Sequence, residues 1–360
     1  MLRTAEGSTG RLIQLCAGYF VFYVITGISV KYFLGKAAAG LPGMNDIEYL
    51  TYSTLSSSLL CIAVVIFKRW YKVESSTFVR VLSRDVPREI LYIIPSGVCT
   101  AVVVPTTTLM YSLPISVMVA MVIMRGSVIV ISRFVDAVQI SQGILQKKVY
   151  AEENWAVAFA IAAVVVHLGF EGAGFDFLGS TAAVTILGSY LVAYTVRIYL
   201  MNYFKNTRPK GVRLDNEGFF GVEQLSASLT MVLVGALVFA GPSRFGWSAP
   251  QVLAFHEAIA NPHVDWLWAM ITGSAFGVVA FFSVFIFMFK GRTATFAGLV
   301  NRLTSLVAGT TATLNFAVFF GGKMPKIQDW ISLGFILIAV AFLTRAEKRR
   351  TVELAAAPAA

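Results

Sequence analysis

The sequence is short of charge. Of its 360 residues, 13% are Asp, Glu, Lys or Arg, about half the roughly 25% of an ordinary soluble domain. A water-exposed surface needs more charge than that, which excludes a soluble globular enzyme and a disordered chain. Cysteine is scarce as well. Cys16, Cys61 and Cys99 each lie inside an apolar run, which argues against a disulfide framework and against a zinc cluster. Of the three histidines, His167 is expected at the outer end of a span, and His256 and His263 in an external loop without metal-ligand spacing. No Asp or Glu is expected deep in a span, because Glu171 and Asp176 fall in a loop. This speaks against a proton relay through a buried carboxylate and against acid–base or nucleophilic catalysis inside the membrane. No metal or other cofactor is predicted, and no catalytic residue. The apolar stretches do not alternate with period two, so a transmembrane barrel is excluded. Residues 1–11 are too short and polar for a cleavable leader, and the first apolar run is long enough to span.

Hydrophobic residues make up 57% of the chain, and the mean hydropathy is +0.73. A span needs roughly 20 mostly apolar residues. The sequence predicts ten, at 12–34, 48–67, 89–109, 114–134, 154–171, 177–200, 222–241, 266–289, 294–319 and 330–345. Pro95 and Pro105 should bend the third, and Pro114 opens the fourth. Residues 135–153 and 201–221 are expected as inner loops and 242–265 as an outer one. There Pro250 to Ala260 suits either a short interfacial helix or an ordered loop. The Ala-rich end is expected to be disordered.

Lys and Arg number 29 against 19 Asp and Glu. In a soluble chain that excess would suggest nucleic acid, but here the topology rule for cytoplasmic loops explains it, and no nucleic-acid partner is predicted. Ten spans with both termini inside leave only Lys31, Lys36, Arg244, Lys323 and Lys326 outside. Arg125 and Arg302 fall within spans, and every other Lys and Arg lies inside. A missed span would reverse each later loop and spoil this asymmetry.

Two comparisons within the chain point to a repeat. Aligning VMVAMVIMRGSVIVIS (117–132) with ATFAGLVNRLTSLVAG (294–309) sets Arg125 on Arg302, Ala120 on Ala297 and Val130 on Val307. Aligning 148–168 with 323–343 sets Lys148 on Lys323, Trp155 on Trp330 and Leu168 on Leu343. If spans one to five recur as six to ten, the odd number inverts the second copy, a plan that recurs in secondary transporters with the site at the repeat interface. The fold class read from this is an all-α integral membrane protein. Its ten helices form two inverted five-helix repeats, at 1–171 and 172–345, followed by a disordered cytoplasmic tail at 346–360.

The intramembrane arginines are the sharpest chemical signal. An Arg at the centre of a span costs about 2.5–3.5 kcal/mol on insertion scales, so it should face a cavity or a partner. Guanidinium is always charged, and its fork suits phosphate or carboxylate. Arg125 and Arg302 either converge on one anionic group or are tied to carbonyls, to a loop carboxylate or to an interface. Asn301 and Thr304 should share polar surroundings with Arg302. Tyr19 with Tyr23, and Tyr190 with Tyr194, sit four apart on one helix face and can stack on a base or sugar, or simply pack. Lys31, Tyr111 and Glu223 are candidates for the gate or mouth. For Glu223, helix capping is the plainer reading, as backbone satisfaction is for Thr106 to Thr108 near Tyr111. Gly273 and Gly277 form a G-x-x-x-G, and Gly298, Ser305 and Gly309 form a small-residue stripe, both suited to close helix approach.

Two stretches carry a family likeness: ISVMVAMVIMRGSVIVISRF, and the run from TATFAGLVNRLTSLVAG to the W-x-x-x-G of Trp330 and Gly334. GISVKYFL, with Lys31, adds to it. By these and by its plan the chain resembles the drug/metabolite transporter superfamily, in its nucleotide-sugar-transporter-like branch. The resemblance implies a carrier that works by alternating access, secondary-active or facilitative. The expected substrate is a small anionic metabolite, with nucleotide sugars and phosphorylated compounds among the candidates. The expected partners are that small molecule and the lipid bilayer. A carrier of neutral or cationic solutes or drugs is an alternative, as is a non-transporting membrane scaffold. The Ala-rich tail and the lack of eukaryotic sorting signals lean towards a bacterial inner membrane.

Overall fold

The computed structural model describes residues 9–81, 83–145, 148–169, 179–208, 215–287, 289 and 294–356. Among them are eleven α-helices: α1 (Thr9–Phe33), α2 (Asp46–Lys68), α3 (Ile90–Ser112), α4 (Val117–Ser141), α5 (Ala151–Gly169), α6 (Thr181–Asn206), α7 (Asn216–Phe245), α8 (Pro250–Ala260), α9 (Trp266–Phe287), α10 (Ala294–Phe320) and α11 (Ile327–Ala356). All except α5 and α8, nine among the described residues, are long and apolar enough to cross a membrane. The expected fifth span falls on α5, whose 19 residues open with Glu152 and Glu153. Pro250 starts α8 at the first helical position, where its missing N–H costs nothing.

Several expectations need correction. The chain forms a β-hairpin between α2 and α3, β1 (Phe78–Val81) with β2 (Arg84–Pro87), in the register Phe78 to Pro87 and Arg80 to Asp85. The expected inner loop from 135 is helical as far as Ser141. The expected disordered tail from 346 is helical to Ala356. Glu223 is not a helix cap. Helix α7 starts six residues earlier than its apolar run, and Asp215 caps it by accepting from the Gly218 N–H at 2.8 Å. Polar residues that continue a helix beyond its apolar stretch cost little in water, so hydropathy alone cannot find such ends.

The helices pack into two compact units. The first is drawn from 1–21, 114–184 and 282–360, and the second from 22–113 and 185–281. In the first unit, α5 lies along α11, while α4 packs on α5, α10 and α11. Ala156, Ala160 and Ala163 of α5 are fully buried, as are Ile336 and Ala339 of α11. This small-residue face allows close approach. A Cβ on Gly126 would sit 2.8 Å from the Val164 side chain. At one end of this pair, Lys148 and the Tyr150 hydroxyl reach Glu353 at 3.0 and 2.9 Å, and Arg349 reaches Glu152 at 2.5 Å. The Lys148 and Tyr150 hydrogen bonds hold the Glu353 carboxyl below the usual carboxylate range. The Glu152 carboxyl is held low by its own backbone N–H and then by Arg349.

In the second unit, α3 and α7 pack closely, and α2 lies against α3, α7 and α8. A Cβ on Gly97 would meet Ser226 at 2.5 Å and the Glu223 carbonyl at 2.6 Å. Gly273 and Gly277 give α9 a close approach to α2, where added Cβ atoms would meet Ser53 at 2.5 Å and Ser57 at 2.8 Å. Close helix approach is therefore the role of the G-x-x-x-G. In α3, Pro105 offers no N–H to the turn before it. The Thr106 and Thr107 hydroxyls donate to the Val102 and Val103 carbonyls, each at 2.7 Å. These back-bonds go to the carbonyls next to that of Ala101, the one Pro105 leaves without a helical N–H partner.

Candidate functional site

The first unit holds both intramembrane arginines. Helix α4 carries Arg125, 6% exposed, and α10 carries Arg302, 4% exposed. An Arg125 Nη2 hydrogen points at the Tyr19 hydroxyl at 3.3 Å, and Tyr19 donates to Asn301 Oδ1 at 3.3 Å. The Asn301 amide donates to the Ser283 hydroxyl at 3.2 Å. Four helices, α4, α1, α10 and α9, thus contribute to one polar chain, and its Tyr19 and Asn301 are fully buried. Its links are at the long end of the hydrogen-bond range. Arg302 donates to the hydroxyl of Ser132, which stands two turns along α4 from Arg125. The Thr304 hydroxyl donates back to the Val300 carbonyl at 2.8 Å, and that of Ser305 to the Arg302 carbonyl at 2.9 Å. In chemical terms this places two permanent positive charges, largely out of water, beside hydroxyl and amide groups. Such a setting favours an anion with several acceptor oxygens over a neutral solute.

The remaining candidates lie in the second unit. Tyr111 donates to the Tyr23 hydroxyl at 2.9 Å. Tyr19 and Tyr23 therefore share a helix face but fall in different units. Tyr190 and Tyr194 contact each other through their rings, with centroids 5.1 Å apart. Lys31 donates to the Leu113 carbonyl at 3.0 Å, at the C-cap of α3.

Glu223, two turns into α7, is fully buried. It receives both Nε and Nη2 of Arg197 at 2.9 Å and the Ser96 hydroxyl at 2.6 Å. This bidentate pair joins α6 to α7 with α3 beside it. Arg197 had been assigned to the inner loops, and only its position inside the predicted sixth span hinted at burial. Ser283 and Ser132 were missed because hydroxyls in apolar helices usually bond to their own backbone. The spacing of Ser132 from Arg125 was the available signal.

His256 stacks on Phe239 with ring centroids 4.7 Å apart, and His263 Nδ1 accepts from the Asp265 N–H at 3.1 Å. Glu171 and Asp176 lie outside the described residues, as do the side chain of His167 and the surroundings of Gly298. Among the described residues, no three His, Cys, Asp or Glu side chains gather as a metal-binding group.

No family model matches the chain, and no curated protein matches it. Seven chains of solved structures do. One of these, described as "Crystal structure of protein", is 13% identical over 95% of this chain and 99% of that one, with a TM-score of 0.45. A likeness of that degree carries no functional argument.

Proposed function

We propose that the chain is a membrane carrier that moves a small anionic metabolite by alternating access, with phosphorylated compounds and nucleotide sugars among its candidate substrates. One observation carries the reading. Arg125 and Arg302, 6% and 4% exposed, lie in one packed unit; Arg125 reaches Tyr19, which leads on to Asn301 and Ser283, and Arg302 reaches Ser132. A guanidinium is always charged and its fork suits phosphate or carboxylate, so two of them on neighbouring helices support an anionic cargo. On this reading the chain belongs with the drug/metabolite transporter superfamily. Its helices form two inverted five-helix repeats, with α5 supplying the tenth span. Helices α4 and α10, which carry the matched arginines, pack together, as do the matched α5 and α11, and this supports the pairing of the halves. The same reading makes both termini cytoplasmic, the membrane a bacterial inner one, and the protein a carrier without enzymatic activity.

The test is uptake by purified protein in liposomes, offered sugar phosphates, nucleotides, amino acids and amines in parallel. Saturable uptake confined to anions is expected. Saturable uptake of amines or neutral solutes, with anions excluded, would favour a cation or drug carrier. No uptake of any class would favour the scaffold.

A further inference from the structure

We propose that the linker between α2 and α3 is a docking surface for anionic phospholipid headgroups. With Lys68 at the end of α2 it presents six cations, the others being Arg69, Lys72, Arg80, Arg84 and Arg88, all exposed, against two exposed carboxylates, Glu74 and Asp85. The topology rule accounts for the sign of that charge, but it needs no fold. This linker is folded. The β1–β2 register sets Phe78 on the same hairpin face as Arg80, and Phe78 is 59% exposed. Tyr71 at the root is 42% exposed. Asp85 stands opposite Arg80 on that face, Arg84 lies on the other face, and Arg88 follows β2. An outward aromatic ring on a hairpin with an excess of arginine, held between two membrane-spanning helices, suits an anionic headgroup layer.

The root of the hairpin is fixed. The Glu74 N–H donates to Asp215 at 2.9 Å, and the Glu74 carbonyl accepts from Arg208 at 2.8 Å. Arg208 also holds the buried Glu89 carboxylate at 2.7 Å. The Trp70 carbonyl lies so near α7 that a Cβ on Gly221 would come within 2.1 Å of it. Both polar groups of the Glu74 backbone are thus held, by Asp215 at the start of α7 and by Arg208 just past α6, which tethers the root of the hairpin to the helices. Charge complementarity selects the occupant: clustered exposed cations beside a helix end match the negative surface potential of an anionic leaflet.

Hydrogen exchange of the full-length protein in nanodiscs tests this. The discs are zwitterionic phosphatidylcholine alone, or the same lipid with about 30% phosphatidylglycerol. In the anionic discs, amides of 76–88 should exchange at least about tenfold more slowly, and raised salt should shrink the difference. The triple variant Arg80→Gln, Arg84→Gln, Arg88→Gln should lose the lipid dependence while exchanging like the parent in zwitterionic discs. Phe78→Ser, which keeps every charge, should lose most of it and guards against a triple variant that unfolds the hairpin. Equal exchange in the two lipids, as an acidic soluble partner in place of lipid would leave it, overturns the proposal. So does a lipid difference that survives both variants.

Discussion

Replacing Glu223 with Ala should destabilise the protein sharply, and replacing its partner as well should restore much of the loss. Glu223 is fully buried, and the Arg197 side chain is 11% exposed. Two parallel hydrogen bonds of 2.9 Å join them, and Ser96 adds a third at 2.6 Å. Glu223→Ala leaves a guanidinium buried without its counter-charge, and breaking a buried pair from one side costs about 3–5 kcal/mol. The double variant Arg197→Met, Glu223→Leu removes both charges and refills the space. Well-packed apolar replacements of buried pairs are often neutral or better, so it should unfold within about 1 kcal/mol of the parent. The assay is thermal unfolding in detergent for the parent, Glu223→Ala, the single variants Arg197→Met and Glu223→Leu, and the double variant. The single variants should melt several degrees lower, at roughly 2 °C or more per kcal/mol. A Glu223→Ala protein that melts with the parent would refute the argument, because no buried charge would then depend on the pair. A double variant no better than the sum of the singles would refute the pairing itself.

Other expectations are simpler to state. Gly273→Leu should destabilise by at least about 1–3 kcal/mol, since even its first carbon would fall 2.5 Å from the Ser53 Cα; thermal unfolding checks it. Asp215→Ala removes both the cap of α7 and the acceptor for Glu74, at a cost of about 1–2 kcal/mol, and should speed exchange at residues 73–75 and 216–218 together. The Glu353 and Glu152 carboxyls titrate lower folded than unfolded. Their contribution is therefore complete above the ordinary carboxylate value of about 4.3 and fades as pH falls below it. A spin label at the exposed Val352 should stay ordered at neutral pH and become mobile below about pH 4, and Lys148→Gln should move that transition to higher pH.

The spans were legible because lipid-length apolar runs have few alternative readings. For Pro250 to Ala260 the sequence left a short helix and an ordered loop equally open, and the chain forms the helix, with Pro250 at its first position. The hairpin was not legible. Phe78 to Val81 offers one short alternation among charges, and the contacts that hold its surroundings, at Glu74 and Glu89, come from Arg208, far along the chain. Arg125, Tyr19 and Asn301 were all singled out, but their connection was not, because which hydroxyl a guanidinium meets is a matter of helix rotation. Glu223 was misread for a related reason. Its burial depends on Arg197 and Ser96, far away in the chain, and polarity alone places a Glu at a helix start.

The central claim is that the Arg125 and Arg302 guanidiniums recognise the cargo. Its most direct test is equilibrium binding of the transported anion to purified parent, Arg125→Gln, Arg302→Gln and the double variant. A charge-assisted hydrogen bond contributes about 1.5–3 kcal/mol, so each single variant should bind roughly ten- to a hundredfold more weakly, and the double variant more weakly still. Parental affinity in all three folded variants would contradict the account.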